Sequence, residues 1–212
     1  MLGHQKGGGV LTLLTKQRGF SLVELMIGLI IIAILLSTGL PAFSLWIQNT
    51  QVRTGAESIL SGLQLARTEA VRRNTNVRFN LTEASGSITW SVGCVVTVGD
   101  INLDGEDDCP AIIQSRTGSE GTVNARAGIS ITTPIPAFNA PITSGTALPA
   151  GVTFTGLGRV STVVGIDNIT RIDITNAVRA DARRMVITVG AGGTIRMCDP
   201  NVPLATSPQG CA

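Results

Sequence analysis

From Leu25 to Val52 the chain carries no charged side chain, and within that stretch residues 25–36 read LMIGLIIIAILL. Helices that pack on a soluble core are apolar along one stripe, whereas this one would be apolar on every face. Extended through Ser37, Thr38 and Gly39 to Phe43, the run is long enough to cross a bilayer as a helix. Lys6, Lys16 and Arg18 precede it, and no lysine occurs from Phe20 onward. The positive-inside rule then keeps the N-terminus cytoplasmic and exports the rest. A cleaved secretory signal would have a shorter apolar core and an A-x-A-like site, which this sequence lacks.

Glu24 sharpens the reading, because it lies inside the apolar segment. A carboxylate at the centre of a membrane helix costs roughly 2.5–3.5 kcal/mol on insertion scales, and the segment supplies no cation to offset it. The octapeptide Arg18-Gly19-Phe20-Ser21-Leu22-Val23-Glu24-Leu25 closely resembles the processing site of type IV prepilins and pseudopilins. The resemblance implies that a membrane prepilin peptidase cuts between Gly19 and Phe20 and that the new amine of Phe20 is N-methylated. It also implies that Glu24 attracts the amine of a neighbouring subunit during assembly, which makes both buried charges tolerable. Pro41 lies where family members often carry a proline and is expected to kink the helix.

Past the run the period changes. Val52, Ala56, Ile59, Leu60, Leu63, Ala66 and Ala70 recur at three- and four-residue steps, with Arg53, Glu57, Gln64 and Arg67 between them, so an amphipathic helix continues to Arg73 and breaks at Asn74-Thr75-Asn76. Beyond it, Val77-Phe79-Leu81 alternates and Ile88–Val98 is rich in β-branched residues. Met185–Val189 and Thr194–Met197 flank a Gly190-Ala191-Gly192-Gly193 connection suited to a hairpin. Between Gly118 and Gly158 the composition predicts long loops and short edge strands. The expected fold class is α+β, a long N-terminal helix packed on an antiparallel β-sheet head as in pilins. Its expected parts are a leader (1–19), a membrane or filament-core helix (20–43), the amphipathic half of that helix (44–74) and a β-rich head (75–212).

Cys94, Cys109, Cys198 and Cys211 are even in number and fall in the exported part, which favours disulfides. Of three connectivities, the local one (Cys94 with Cys109, Cys198 with Cys211) closes two short loops, each contributing roughly 3 kcal/mol. A zinc site is the alternative, but no CxxC spacing or nearby histidine supports it. The first loop holds Asp100-Ile101-Asn102-Leu103-Asp104-Gly105-Glu106-Asp107-Asp108. Asp100, Asn102, Asp104, Glu106 and Asp108 are candidate calcium ligands in EF-hand order, although Ala111 stands where the bidentate glutamate belongs, and a solvated acidic turn is the favoured reading. No cofactor is required.

Arginines cluster at the helix end (Arg67, Arg72, Arg73, Arg78) and near the C-terminal hairpin (Arg179, Arg183, Arg184, Arg196). A solvated face paired with Glu69, Glu83 and Asp181 is favoured over phosphate contacts. The segment Arg183-Arg184-Met185-Val186-Ile187 with Gly193-Thr194-Ile195-Arg196-Met197-Cys198-Asp199 resembles the FimT/GspH group of minor pilins. DNA-uptake members of that group show Gly-Arg-x-Arg before this cysteine; here Thr194 replaces the first arginine. Arg183, Arg184 and Arg196 remain candidate DNA contacts, and DNA is not the favoured partner.

Catalysis is not expected. The only histidine, His4, lies in the leader, and the cysteines are expected to pair, so no Ser-His or Cys-His nucleophile can be assembled. The resemblance implies a structural minor pilin or pseudopilin, anchored in the inner membrane with its head in the periplasm and partnered by other pilins, near the tip of a type IV pilus or related filament. The alternatives are a DNA-uptake pilin and a type II secretion pseudopilin. Cutting after Gly19 removes Lys6, Lys16 and Arg18, so the formal +2 becomes a slight negative excess and any anion binding must come from local patches.

Overall fold

The structure is a computed structural model that describes residues 19–99, 108–163, 165 and 167–211; the side chains of residues 38–42 lie outside the described residues. The chain divides after Ala42 into two compact units. Helix α1 (Leu22–Arg73) belongs to both, and eight strands follow. The class is α+β.

In the first unit α1 begins after Ser21, whose carbonyl accepts the Leu25 N–H at 3.2 Å. Ser21-Leu22-Val23-Glu24 has capping-box spacing, and Glu24 lies in the first turn, where the helix dipole favours a negative charge. No helix among the described residues is both long and apolar enough to cross a membrane. The described side chains of the run stop at Ser37, so part of the span expected over residues 20–43 lies outside the described residues. The helix assignment continues through Pro41, so the proline does not end it, while the kink expected there falls among the residues whose side chains are outside the description.

In the second unit α1 is amphipathic, as its spacing predicts. Val52, Ala56, Ile59, Leu63, Ala66 and Ala70 have no solvent exposure, and Leu60 is partly buried against them. Full burial of a side chain the size of Val52, Ile59 or Leu63 is worth about 1.5–3 kcal/mol. The helix ends as a Schellman motif: Asn74, at φ 50°, donates to Val71 O and Thr75 donates to Ala70 O. Arg72 and Arg73 in the last turn suit the negative end of the dipole.

The head holds two four-stranded antiparallel sheets. The first has order β3 (Gln114–Arg116), β2 (Trp90–Cys94), β1 (Val77–Leu81), β5 (Ala150–Phe154), and the second has order β4 (Ala125–Ser130), β6 (Arg171–Asn176), β7 (Met185–Val189), β8 (Ile195–Cys198). Both strands from the Gly/Pro-rich middle, β4 and β5, are edge strands. The sequence patterns gave no strand between Gly158 and Met185, yet β6 is there at the centre of the second sheet, paired with β4 and β7. The C-terminal hairpin forms with β8 one residue later than expected, and Gly193 at φ 82° closes its turn.

One core joins α1 to both sheets. A Cβ on Gly62 would meet the Phe79 ring at 2.7 Å and Trp90 at 3.2 Å, so glycine lets the helix approach the first sheet closely. Gly55 does the same against Ala125 and Ile174 of the second sheet. Trp90 Nε1 donates to Ser58 Oγ at 2.8 Å, so both polar atoms are satisfied inside that contact.

Candidate functional site

The surface with the strongest claim to function is the first part of α1. Phe20 is 83% exposed, and the large apolar side chains from Leu22 to Leu36 are all more than half exposed, pointing in every direction around the helix. Singly exposed apolar residues are ordinary, but a continuous apolar patch of this extent marks a surface that partners or lipid must cover. Glu24 is exposed within it and makes no ion pair among the described residues. Gly19 and Phe20 precede the helix in exposed chain outside any helix or strand, where a peptidase can reach a bond.

The arginine clusters are mostly committed internally. Glu69 receives Arg72 at 2.7 Å and Arg73 at 2.8 Å; the hydrogen bond from Arg72, with that from Arg73 behind it, holds its carboxyl below the usual carboxylate range despite partial burial. Arg73 also donates to Asp108 O. Arg179 pairs with Asp181 at 2.7 Å, and that hydrogen bond lowers the Asp181 pKa. Glu83, expected to pair, is in no ion pair among the described residues.

The three candidate DNA contacts do not form one fork. Arg183 bonds the buried Asp199 at 2.5 Å, and its own N–H donates to Asn49. Arg184 bonds Asp173 at 2.7 Å and the Phe138 carbonyl at 2.5 Å. Arg196 lies opposite Thr188 in the β7–β8 ladder and donates to the carbonyls of Pro208 and Gly210. Arg183 and Arg196 thereby hold the C-terminal segment, and Arg184 holds the loop around Phe138.

Sequence reading missed the polar centre of the head. Arg171 and Asp173 of β6 are fully buried and paired at 2.7 Å. Arg171 also donates to the carbonyls of Pro136, Ala137 and Ala140 and lies 5.0 Å from the Phe138 ring centroid. Asp173 further accepts from Arg184 and from the Ile142 N–H. A buried charge survives only when its hydrogen bonds are met, and here they fasten the 136–142 loop to the second sheet. Ile172 and Ile174 in alternation were the available signal for this strand.

Cys94 is bonded to Cys109 and Cys198 to Cys211, with no free cysteine among the described residues. The candidate calcium ligands Asp100, Asn102, Asp104 and Glu106 lie outside the described residues; Asp108 is described and half-buried. Among the described residues no group of acidic, cysteine or histidine side chains could hold a metal ion.

A long N-terminal helix, apolar on all sides at its start and amphipathic where it seats on an antiparallel head, defines the pilin and pseudopilin class. The prokaryotic N-terminal methylation motif matches residues 14–40, and the type II transport protein GspH family matches residues 55–193. The chain belongs to the GspH family. Among solved structures it is similar to the type IV minor pilin FimU of Pseudomonas aeruginosa (18% identity, 76% of this chain and 95% of that one, TM-score 0.46). It is also similar to the minor pseudopilin EpsH from the type 2 secretion system of Vibrio cholerae (12% identity, 72% of this chain and 99% of that one, TM-score 0.44). No curated protein sequence matches it.

Proposed function

We propose that this protein is a minor structural subunit, cut between Gly19 and Phe20, N-methylated at Phe20, held in the inner membrane by the first part of α1 with its head in the periplasm, and assembled near the tip of a type IV pilus or type II secretion filament. The observation that carries the reading is the exposed, all-round apolar surface from Leu22 to Leu36, which no residue of its own chain covers among those described. In a filament the same stretch of neighbouring subunits covers it, and the Phe20 amine of one subunit meets the Glu24 carboxylate of the next. The tip position rests on the resemblance to minor pilins. Replacing Glu24 with Ala is expected to abolish incorporation into sheared or purified filaments while membrane insertion persists; normal incorporation refutes the role given to Glu24. Crosslinking followed by identification of the attached pilins distinguishes pilus from secretion filament.

The rival reading, DNA uptake, asks Arg183, Arg184 and Arg196 to contact phosphates, whereas each is engaged with an acceptor of its own chain. Gel-shift titration of the purified protein over a salt series tests it. A steep loss of affinity with salt supports phosphate contacts, and salt-independent or absent binding rules them out.

A further inference from the structure

Arg78 is used by neither the filament contacts nor the core. Val77, Phe79 and Leu81 of β1 point into the core with no exposure, so the alternation of the strand sends Arg78 to the opposite face of the first sheet. There it is half-buried beside a cleft of about 360 Å³ whose wall is formed chiefly by Val95, Ile131, Ala147, Pro149, Ala150 and Thr153. Nε donates to Asn80 Oδ1 at 2.8 Å, Nη1 to Thr153 Oγ1 at 2.8 Å, and Nη2 to the Asp167 carbonyl at a long 3.4 Å. Three of the five N–H bonds of a guanidinium are thus donated, two have no acceptor among the described residues, and all three acceptors are neutral.

No carboxylate lies within ion-pair distance of Arg78 among the described residues. Burial pushes its pKa below the usual arginine value, and only the more distant Asp167 charge acts the other way. The comparison with other arginines isolates the anomaly. Arg171, more deeply buried, has its carboxylate; Arg126, half-buried without one, turns back onto the carbonyls of Val123 and Ala125. Arg78 instead faces open space. Ala147 on the cleft wall sits at φ 57°, a left-handed conformation that alanine adopts only where its surroundings impose it.

We propose that this cleft binds a carboxylate carried on a short apolar stem, the guanidinium of Arg78 taking the carboxylate and Ile131, Pro149 and Ala150 the stem. The lining is mostly apolar with one convergent cation, the composition of a small-ligand site. One cation, with Asp167 also lining the cleft, suits a monoanion and penalises a dianion such as phosphate. The carboxylate is either a free small acid or an acidic side chain of another subunit.

The test uses the full chain in detergent micelles, labelled with nitrogen-15 and titrated at constant pH and ionic strength with butyrate, with its neutral isostere butyramide, and with inorganic phosphate. Butyrate is expected to give saturable shifts confined to Arg78 Nε–H and the amides of Ala147, Ala150 and Thr153, with butyramide and phosphate at least about tenfold weaker. Arg78→Gln should weaken butyrate by about tenfold or more; should that variant not fold, Arg78→Lys, which keeps the charge and loses the fork, should still bind several-fold more weakly. Absence of saturable shifts, equal response to butyramide, or undiminished binding by a folded Arg78 variant overturns the proposal. With butyrate binding established, a benzophenone amino acid in place of Val95, an exposed residue of the cleft wall that takes no part in holding the stem, separates the sources in cells. A crosslink to another subunit identifies an acidic side chain, and its absence identifies a free acid.

Discussion

Leu29 and Leu63 lie in the same helix, yet Leu29 is 58% exposed and Leu63 has no exposure at all. The same contrast holds for their glycines and serines. Nothing lies within 4 Å of a Cβ built on Gly28, while one on Gly62 would strike an aromatic ring. Ser37 bonds back to the carbonyl of Ile34 in its own turn, while Ser58 is the buried acceptor for Trp90. Helix formation is common to both regions, but among the described residues only the later one is stabilised by tertiary contacts made in its own chain. The earlier region has its apolar surface available for lipid and for other subunits, so equivalent substitutions should act on different measurements.

The largest effect is expected from shortening the leucines. Leu63→Ala should cost about 2–5 kcal/mol in denaturant unfolding of the head, and Leu29→Ala less than about 0.5 kcal/mol. Filament incorporation should reverse the order, with Leu29→Ala the more damaging among folded variants. Equal destabilisation by both would dissolve the distinction between the two regions.

Methyl groups added at the glycines come next. Gly62→Ala should cost about 1–3 kcal/mol because rigid rings must move, whereas Gly28→Ala should leave head unfolding unchanged and raise helicity, by up to about 1 kcal/mol of helix propensity. Ser58→Ala strands the Trp90 N–H and should cost about 1–3 kcal/mol, while Ser37→Ala should be silent within about 0.5 kcal/mol. Thermal unfolding combined with circular dichroism reads both pairs.

The smallest effect belongs to the helix carboxylates. The folded pKa of Glu69 is depressed, so its contribution is present above its ordinary value of 4.5 and is lost as pH falls through the lower folded value. The stability difference between wild type and Glu69→Gln should therefore shrink below about pH 4.5, and because Arg72 is largely exposed it should stay under about 1 kcal/mol. Glu57→Gln, which removes the exposed Arg53–Glu57 pair, should show still less and lose it in salt.

How far the fold was readable depended on whether its signals were local. The stripe from Val52 to Ala70, the stop at Asn74, β1, the core of β2 and the C-terminal hairpin all follow from period, turn chemistry and β-branched content within a short window. Strand β6 did not, because Arg171 and Asp173 broke the apolar pattern that Ile172 and Ile174 began. Those charges are tolerated only because carbonyls of Pro136, Ala137 and Ala140, far away in sequence, meet them. The arginines divided the same way. Glu69 with Arg72 and Arg73 was legible from helical spacing, whereas the partners of Arg183, Arg184 and Arg196, and the vacant side of Arg78, depend on loops that no periodicity places.

The sequence by itself determined that a long helix begins at a prepilin-type methylation motif, that its first part is apolar on every face, and that an antiparallel head follows. Those properties are set by hydropathy, charge order and residue spacing, all of which act over a few residues. The tertiary structure alone decided that the head is two sheets around one core, that an ion pair sits at the centre of the second, and which arginine lines a cleft without an ion-pair partner among the described residues. Whether a charge is paired, buried or available depends on groups brought together from distant parts of the chain, and only packing brings them there.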